Sequence, residues 1–261
     1  MRRRQECALG AVFDDTVAAP DPTKSMSKAS AEYTRGALYG LGAAGIWAGW
    51  IVVARLGVGT SLDPWDIAAL RFGIGGLILL PYLMRRGLAI ERLGWIGLAA
   101  IVLGCGAPMV LLVNAGLLFA PAAHAGGLFS GVVPLMVALL AAPFLHEALT
   151  PGRRVGLALI LAGVVSIIWS AGGAAFGARE NIGHVLFLGA ALLWAGYTVA
   201  MRRARLDGLH AAAIAAVGTL ALYLPFYSVV AGTSLFKAPP ADITLEAFVQ
   251  GVLAAVVALV L

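Results

Sequence analysis

Two pairs of aromatic residues occupy matched positions in this chain. Trp47 and Trp50 are three residues apart, and Trp194 and Tyr197 repeat that spacing. Residues three apart lie on one face of a helix. Both pairs fall near the middle of long apolar segments, away from the membrane interfaces where tryptophan is common. The pattern predicts a cavity wall that stacks on an apolar or aromatic ligand, with packing beside neighbouring glycines as the competing interpretation.

Arg71 is a full charge well inside an apolar segment. An arginine at the centre of a membrane helix costs about 2.5–3.5 kcal/mol on insertion scales. Because Arg71 follows Trp65 by only six residues, its side chain is expected to reach the outer membrane surface by snorkelling. This position favours a structural anchor, and a role in an outer gate or in anion binding is the alternative.

Pro134 lies in the middle of another apolar segment. Its ring removes one helical hydrogen bond and frees the carbonyl of Ser130, four residues earlier. Freed groups of this kind are tolerated where they face protein or a water-filled cavity. Ser130, Gly131 and Pro134 are therefore predicted to face the substrate. Asn114 is a further candidate for the substrate path, although an amide in a membrane more often bonds a neighbouring helix.

His124 and Glu147, at the two ends of one predicted span, are candidates for proton coupling. A histidine titrates near neutral pH, but one in a turn is commonly just solvated. Glu147 lies close in sequence to Arg153 and Arg154, which favours a surface salt bridge that fixes the loop. The cores of the predicted spans are expected to contain no acidic side chain, which argues against an acidic proton relay.

The sequence predicts no metal site, no cofactor and no catalytic residues. Phosphate-binding loops, nucleophile elbows and metal-ligand spacings are absent from the sequence, and its four histidines are scattered. The two cysteines, Cys7 and Cys105, indicate neither a disulfide framework nor a metal site. An enzyme is therefore not expected. An intramembrane acyl or isoprenyl transferase is the alternative from another class, and a non-transporting membrane scaffold or inactive truncated product is a third.

The composition places the chain in a membrane. Hydrophobic residues make up 61% of it, charged residues only 12%, and the mean hydropathy is +0.93. Soluble domains carry about 25% charged residues. About 20 apolar residues cross the hydrocarbon core as a helix, which predicts an all-α polytopic protein. The predicted spans are 36–54, 65–84, two between 93 and 145 separated by a turn at 120–124, then 155–173, 182–201, 209–231 and 246–261.

Lysine and arginine residues are concentrated in every second loop, and this distribution predicts the topology. With the N-terminus in the cytoplasm, the inner segments hold fourteen of them and the outer loops three. This distribution obeys the positive-inside rule. We expect a multi-pass protein of a bacterial-type inner membrane whose partners are the lipid bilayer and a small-molecule substrate. The positive charge is a topology signal and predicts no binding to nucleic acid; a homodimer is compatible with the sequence.

Two stretches of the chain are copies of each other. The segment 42–49 reappears at 189–196, an offset of 147, and Leu80-Pro81-Tyr82 is echoed downstream by Leu224-Pro225-Phe226. Duplicated hydrophobic units are typical of secondary transporters. The predicted first unit, 36–171, contains five spans, and this odd number would insert the second unit, 182–261, upside down.

The two ends of the chain carry separate expectations. Residues 1–35 are predicted to form a disordered cytoplasmic tail, because acidic residues interrupt any signal peptide; translation from Met26 is an alternative start. The offset of 147 predicts two further spans after Leu261. The chain is therefore expected to be a ten-span protein truncated in its eighth span, and a genuine eight-span protein is the alternative.

Several segments together carry a family resemblance. They are 44–49 with its copy around Trp194, Ala69-Leu70-Arg71-Phe72, and 134–140 followed by His146-Glu147 and then 156–164. In this order and spacing they resemble the drug/metabolite transporter superfamily, specifically its EamA-type branch. The resemblance implies ten helices in two inverted five-helix repeats and export of small metabolites, amino acids or drugs. We expect transport by alternating access.

Overall fold

The computed structural model describes residues 22–145, 147, 150–170, 178–230 and 235–258. The predicted tail up to residue 21, the end of the fifth predicted span at 171–173, His146 and the last residues, 259–261, lie outside the described residues. Helices make up nearly all of the described part, which contains no strand. They are α1 Pro22–Thr60, α2 Pro64–Arg86, α3 Ile90–Cys105, α4 Ala107–Phe119, α5 Ala122–Ala125, α6 Val133–Leu145, α7 Pro151–Ser170, α8 Ala178–Arg203, α9 Gly208–Val230 and α10 Pro240–Glu246.

Seven helical segments of the described chain are long and apolar enough to cross a membrane. The predicted all-α polytopic class is therefore confirmed. The segments are Glu32–Gly59, Pro64–Arg86, Ile90–Phe119, Ala122–Leu145, Arg179–Arg203, Gly208–Val230 and Pro240–Val257. Helix α7 occupies the position of the remaining predicted span, and its 20 residues are about 30 Å long at 1.5 Å per residue.

The chain forms two compact units, residues 1–41 and 42–261. In the first, helix α1 begins at Pro22 rather than near residue 36, so the later part of the predicted disordered tail is helical. This stretch carries no proline after Pro22 and contains Ala, Lys, Met and Glu, which favour helix. In the second unit, the side chains of Ile67, Met109, Leu117 and Phe187 are fully buried in the core.

The third and fourth predicted spans contain breaks. The third span divides at Gly106, where the backbone is extended, because Pro108 lacks the donor that would continue the helix. The fourth span contains a π-helical turn at Gly126–Gly131 before α6 resumes at Val133. Pro134 lies at the start of α6, so the irregularity predicted from this proline is present on its N-terminal side.

Contacts between helix ends show which of them lie together at each end of the bundle. Glu147 pairs with Arg202 at the end of α8, and His210 at the start of α9 bonds the Gly87 carbonyl after α2 at 2.8 Å. We call this the arginine-rich end. At the opposite end, the Ser61 hydroxyl donates to Asp242 Oδ2 at 2.5 Å. Because α7 follows Glu147 and precedes the start of α8, it connects the two ends.

Close helix approaches occur at glycines that the sequence pattern does not single out. Gly45 and Gly49, which have the spacing of a small-residue packing pair, have open space where a Cβ would lie. A Cβ on Gly104 would instead lie 2.4 Å from the Leu193 carbonyl oxygen, and one on Gly116 would lie 2.5 Å from the Phe187 ring. These two glycines let α3 and α4 pack closely against α8.

Candidate functional site

The aromatic residues of the two sequence copies meet inside the bundle. The rings of Trp47 and Trp194 contact edge to face, with centroids 5.6 Å apart. Phe129 contacts Trp50 at 6.2 Å and Trp194 at 6.3 Å, and Tyr197 lies 5.3 Å from Trp194. Edge-to-face and tilted contacts are the favoured arrangements of aromatic pairs. We call these five residues the central aromatic cluster.

Arg71 is buried beside this cluster. Its side chain is 5% exposed, and its guanidinium carbon lies 4.5 Å from the centroid of the Trp50 ring. A guanidinium over a tryptophan face is attracted by the ring quadrupole, by about 2 kcal/mol or more when water is excluded. The expectation that Arg71 snorkels to the surface is therefore wrong. Inward packing is favoured because Trp50 offers the cation a partner inside the protein.

Two polar residues of the last span complete the surroundings of Arg71. Arg71 Nη1 donates to Gln250 Oε1 at 3.3 Å, and Gln250 Nε2 donates to Glu246 Oε2 at 3.0 Å. Both Gln250 and Glu246 are buried. The other oxygen of Glu246, Oε1, is buried without a hydrogen-bond partner among the described residues. This chain of groups connects α2 to α10 and the π-helical segment Ala247–Val257 that follows it.

The expectation that the span cores hold no acidic side chain is also wrong. Glu246 and Asp66 are each 1% exposed. The Asp66 carboxylate accepts a hydrogen bond from the Tyr227 hydroxyl at 2.5 Å and one from the Asp63 backbone N–H at 3.0 Å. Asp66 lies in the first turn of α2, where the helix dipole and free N–H groups favour negative charge, whereas Glu246 is the last residue of α10 and has no such support. Position in the sequence suggested exposure, but packing against α9 and α1 buries them.

A small cavity opens between the central aromatic cluster and the fourth span. Its volume is about 80 Å³, and we call it the central cavity. Ser130 is exposed and lines it, whereas Pro134 is exposed elsewhere and Gly131 is half-buried. The lining residues are Trp47, Trp50, Arg71, Phe129, Ser130, Val133 and Trp194. The structure thus brings together five of the predicted site residues, with Tyr197 behind Trp194.

Asn114 lies apart from the central cavity. It is fully buried on α4, and neither amide atom has a hydrogen-bond partner among the described residues. A buried amide without a partner costs about 1–3 kcal/mol. Asn114 therefore does not form the hydrogen bond to a neighbouring helix that was one of its two predicted roles, and it does not line the central cavity, which was the other.

The two candidates for proton coupling lie at opposite ends of the bundle. Glu147 forms an ion pair with Arg153 at 3.1 Å, as predicted, and a second with Arg202. His124 Nδ1 lies 3.0 Å from His184 Nε2, and both rings are buried. One ring of this pair must donate and the other accept, so at least one nitrogen is unprotonated when the bond forms.

Phe129, Glu246, Gln250 and His184 are site residues that the sequence interpretation missed. Glu246 and Gln250 are four residues apart, a spacing that places them on one helix face, so this pair could have been found. His184 and Phe129 had no such signal, because only the folded chain brings them beside His124 and Trp194. Among the described residues, no group of three or more potential metal ligands is present.

The comparisons with known proteins agree with this architecture. The family model described as the EamA-like transporter family matches residues 34–169, more than half of the chain. The chain belongs to the EamA-like transporter family. A solved structure, described only as a crystal structure of a protein, aligns with a TM-score of 0.53 and 24% identity over 85% of this chain and 83% of the other. That likeness shows the fold alone. No curated protein matches the chain.

Proposed function

We propose that this EamA-like protein is an inner-membrane carrier that exports a small molecule by alternating access between two inverted repeats. The observation that supports it best is the contact of Trp47 with Trp194 at the central cavity. These residues are equivalent in the two sequence copies. A site between repeats is where a rocking motion changes access from one membrane side to the other. The proposed topology has the N-terminus and the arginine-rich end in the cytoplasm.

The cavity supports a substrate that combines a flat apolar part with an anionic group. Its walls are mainly aromatic, and such surfaces stack on flat molecules. Arg71 makes no ion pair among the described residues, and its contacts there are the Trp50 and Phe72 rings and the Gln250 amide. A buried cation without a counter-ion attracts an anion strongly, because the surrounding dielectric is low. Aromatic amino acids and other small aromatic acids have this chemistry. The central cavity, at about 80 Å³, is below the usual size of a ligand site, so the proposed carrier must open further to admit them.

The test is substrate flux through the full chain in proteoliposomes. The labelled probes are phenylalanine, leucine and an aromatic sulfonate, which separate ring stacking from charge. We expect exchange of at least one aromatic probe. Trp47→Ala should lower it about fivefold or more, since loss of a stacking partner removes about 1 kcal/mol or more. Ser130→Leu should lower it as well, because the larger side chain fills part of the central cavity that Ser130 lines. Trp169→Ala is the matched control, because Trp169 is 74% exposed on α7.

Two results would contradict parts of the proposal. Normal flux in both cavity variants would show that substrate does not pass through the central cavity. Absence of flux for every probe in the wild-type chain would favour the non-transporting scaffold. Expression and membrane insertion of each variant are checked on the same preparations, so that loss of flux is separated from loss of protein.

A further inference from the structure

A second and larger depression lies at the arginine-rich end, away from the central cavity. It has a volume of about 650 Å³ and is formed by the first turns of α3 and the last turns of α6 and α8. This volume is within the range of about 300–1,000 Å³ that is usual for ligand sites. None of its lining residues lines the central cavity. We call it the lateral groove.

The walls of the lateral groove are shaped for a long apolar group. Gly94 has φ +63° and ψ 176° within α3, a backbone conformation that is essentially restricted to glycine, and it offsets the first turn of α3 from the rest. Small residues, among them Gly97 and Gly196, form part of the lining, and Trp95 and Phe144 flank it. Trp95 is 75% exposed and Phe144 55%. In a membrane-spanning helix such exposed aromatic side chains face lipid.

Two cationic side chains border the same groove. Arg92 lies on α3 and Arg203 on α8, so the charges come from different helices. Neither side chain forms an ion pair among the described residues, in which Glu147 pairs with Arg153 and Arg202 instead. Glu91 is adjacent to Arg92 in sequence but does not line the groove. The groove is therefore apolar along its length and positively charged at the membrane surface.

We propose that the lateral groove binds an anionic phospholipid, with the phosphate between Arg92 and Arg203 and an acyl chain along Trp95 and Phe144. Basic pockets between membrane helices on the cytoplasmic side are suited to anionic headgroups. The trend of tryptophan to lie at the headgroup level agrees with the position of Trp95, three residues after Arg92 and in the lining of the same groove. The inference uses the proposed cytoplasmic position of the arginine-rich end and does not depend on which substrate the carrier moves.

The test is native mass spectrometry of the full chain in detergent with added lipid. The probes are phosphatidylglycerol, phosphatidylcholine with the same acyl chains, and glycerol phosphate. We expect phosphatidylglycerol to bind about tenfold or more tightly than phosphatidylcholine. The reason is that the attraction between each arginine and a headgroup of net negative charge adds to the free energy of binding. Glycerol phosphate is expected not to bind detectably, since it lacks the acyl chains that the apolar walls would bury.

Matched variants test whether phosphatidylglycerol binds in the lateral groove. The double variant Arg92→Gln/Arg203→Gln is expected to lose the preference for phosphatidylglycerol, whereas Arg85→Gln/Arg86→Gln, at the end of α2 and outside the groove, keeps it. Trp95→Ala with Phe144→Ala should weaken both lipids alike. Cross-linking with a photoactivatable phosphatidylglycerol should label the segment 92–100, which gives a readout that does not depend on the variants folding.

Other outcomes would overturn the proposal. Equal binding of the two lipids, or retention of the preference in Arg92→Gln/Arg203→Gln, would show that the arginines do not select the headgroup. Glycerol phosphate binding as tightly as the lipid would indicate a free phosphate site. Chain-to-chain cross-links at 92–100 in place of lipid adducts would show that the groove is covered by a second copy.

Discussion

Arg71 is stabilised inside the membrane by groups that carry no net charge. It contacts the Trp50 face at 4.5 Å and the Gln250 amide at 3.3 Å, and the Glu246 carboxylate is reached only through Gln250. A buried cation that lacks a direct counter-ion is costly in a low dielectric. Stability therefore does not account for this buried charge, and the proposed function assigns Arg71 a contact with the anionic group of the substrate.

Replacing Arg71 separates these two roles. Arg71→Met keeps an unbranched apolar stem and removes the buried charge, so the thermal midpoint should stay equal to or above that of the wild-type protein. Flux of an anionic aromatic probe should fall about tenfold or more, since a charged hydrogen bond contributes about 1.5–3 kcal/mol. Arg71→Lys should restore flux only in part, because an ammonium lacks the planar stacking of a guanidinium. Unchanged anion flux in Arg71→Met would assign the residue to structure alone.

At the scale of elements, α1 illustrates what a sequence pattern can and cannot predict. The predicted span and its aromatic face are present, with Trp47 and Trp50 reaching the central cavity. Gly45 and Gly49 have the spacing of a small-residue packing pair, but a Cβ on either would meet open space. The tight approach is at Gly57, where a Cβ would lie 2.4 Å from Glu246 Oε1 and 3.1 Å from Ile67. Small-residue spacing indicates that close packing is allowed, but the partner helix decides where it occurs.

Alanine substitutions along α1 test this difference. Gly57→Ala should lower stability by about 1 kcal/mol, the lower end of overpacking effects, because the added carbon meets the ends of the Glu246 and Ile67 side chains, which can shift to make room. Gly45→Ala on the same helix should be neutral or stabilising by up to about 1 kcal/mol, through helix propensity. Thermal midpoints of the purified proteins in one detergent compare the two. Equal midpoints for the two variants would show that Gly57 is not a packing contact.

The polar contacts of the site, like the close helix approaches, depend on the partner helix and not on the spacing within one segment. The spans, the aromatic pairs and the turn at 120–124 follow from hydropathy and spacing within one segment, and they were predicted. The contacts of Arg71 with Gln250 and of His124 with His184 join residues 179 and 60 positions apart. Such pairings depend on how α2 packs against the π-helical segment Ala247–Val257 and how α5 packs against α8, which local periodicity does not encode. Interpretation of a single sequence therefore found the aromatic residues of the cavity but not the polar partners of Arg71.

At the scale of the whole molecule, alternating access requires that groups around the central cavity change their exposure together. Cys105 reports on this, because it is buried at the end of α3 beside a second small void lined by Trp47, Arg71 and Trp194. The void, about 20 Å³ in volume, holds at most about one water molecule. In this arrangement, Cys105 should therefore react slowly with any reagent that enters from water.

A single-cysteine chain makes the exposure of Cys105 measurable. In a Cys7→Ser background, a membrane-impermeant thiol reagent is applied to either face of proteoliposomes with the protein in known orientation. A transported probe should change the labelling rate severalfold. If it raises the rate from one face, it should lower the rate from the other, since a ligand shifts a two-state equilibrium by its differential affinity. Trp47→Ala should abolish the effect of the probe while basal labelling persists. Equal changes at both faces would indicate a channel-like opening, because an open pore exposes Cys105 to both compartments at once.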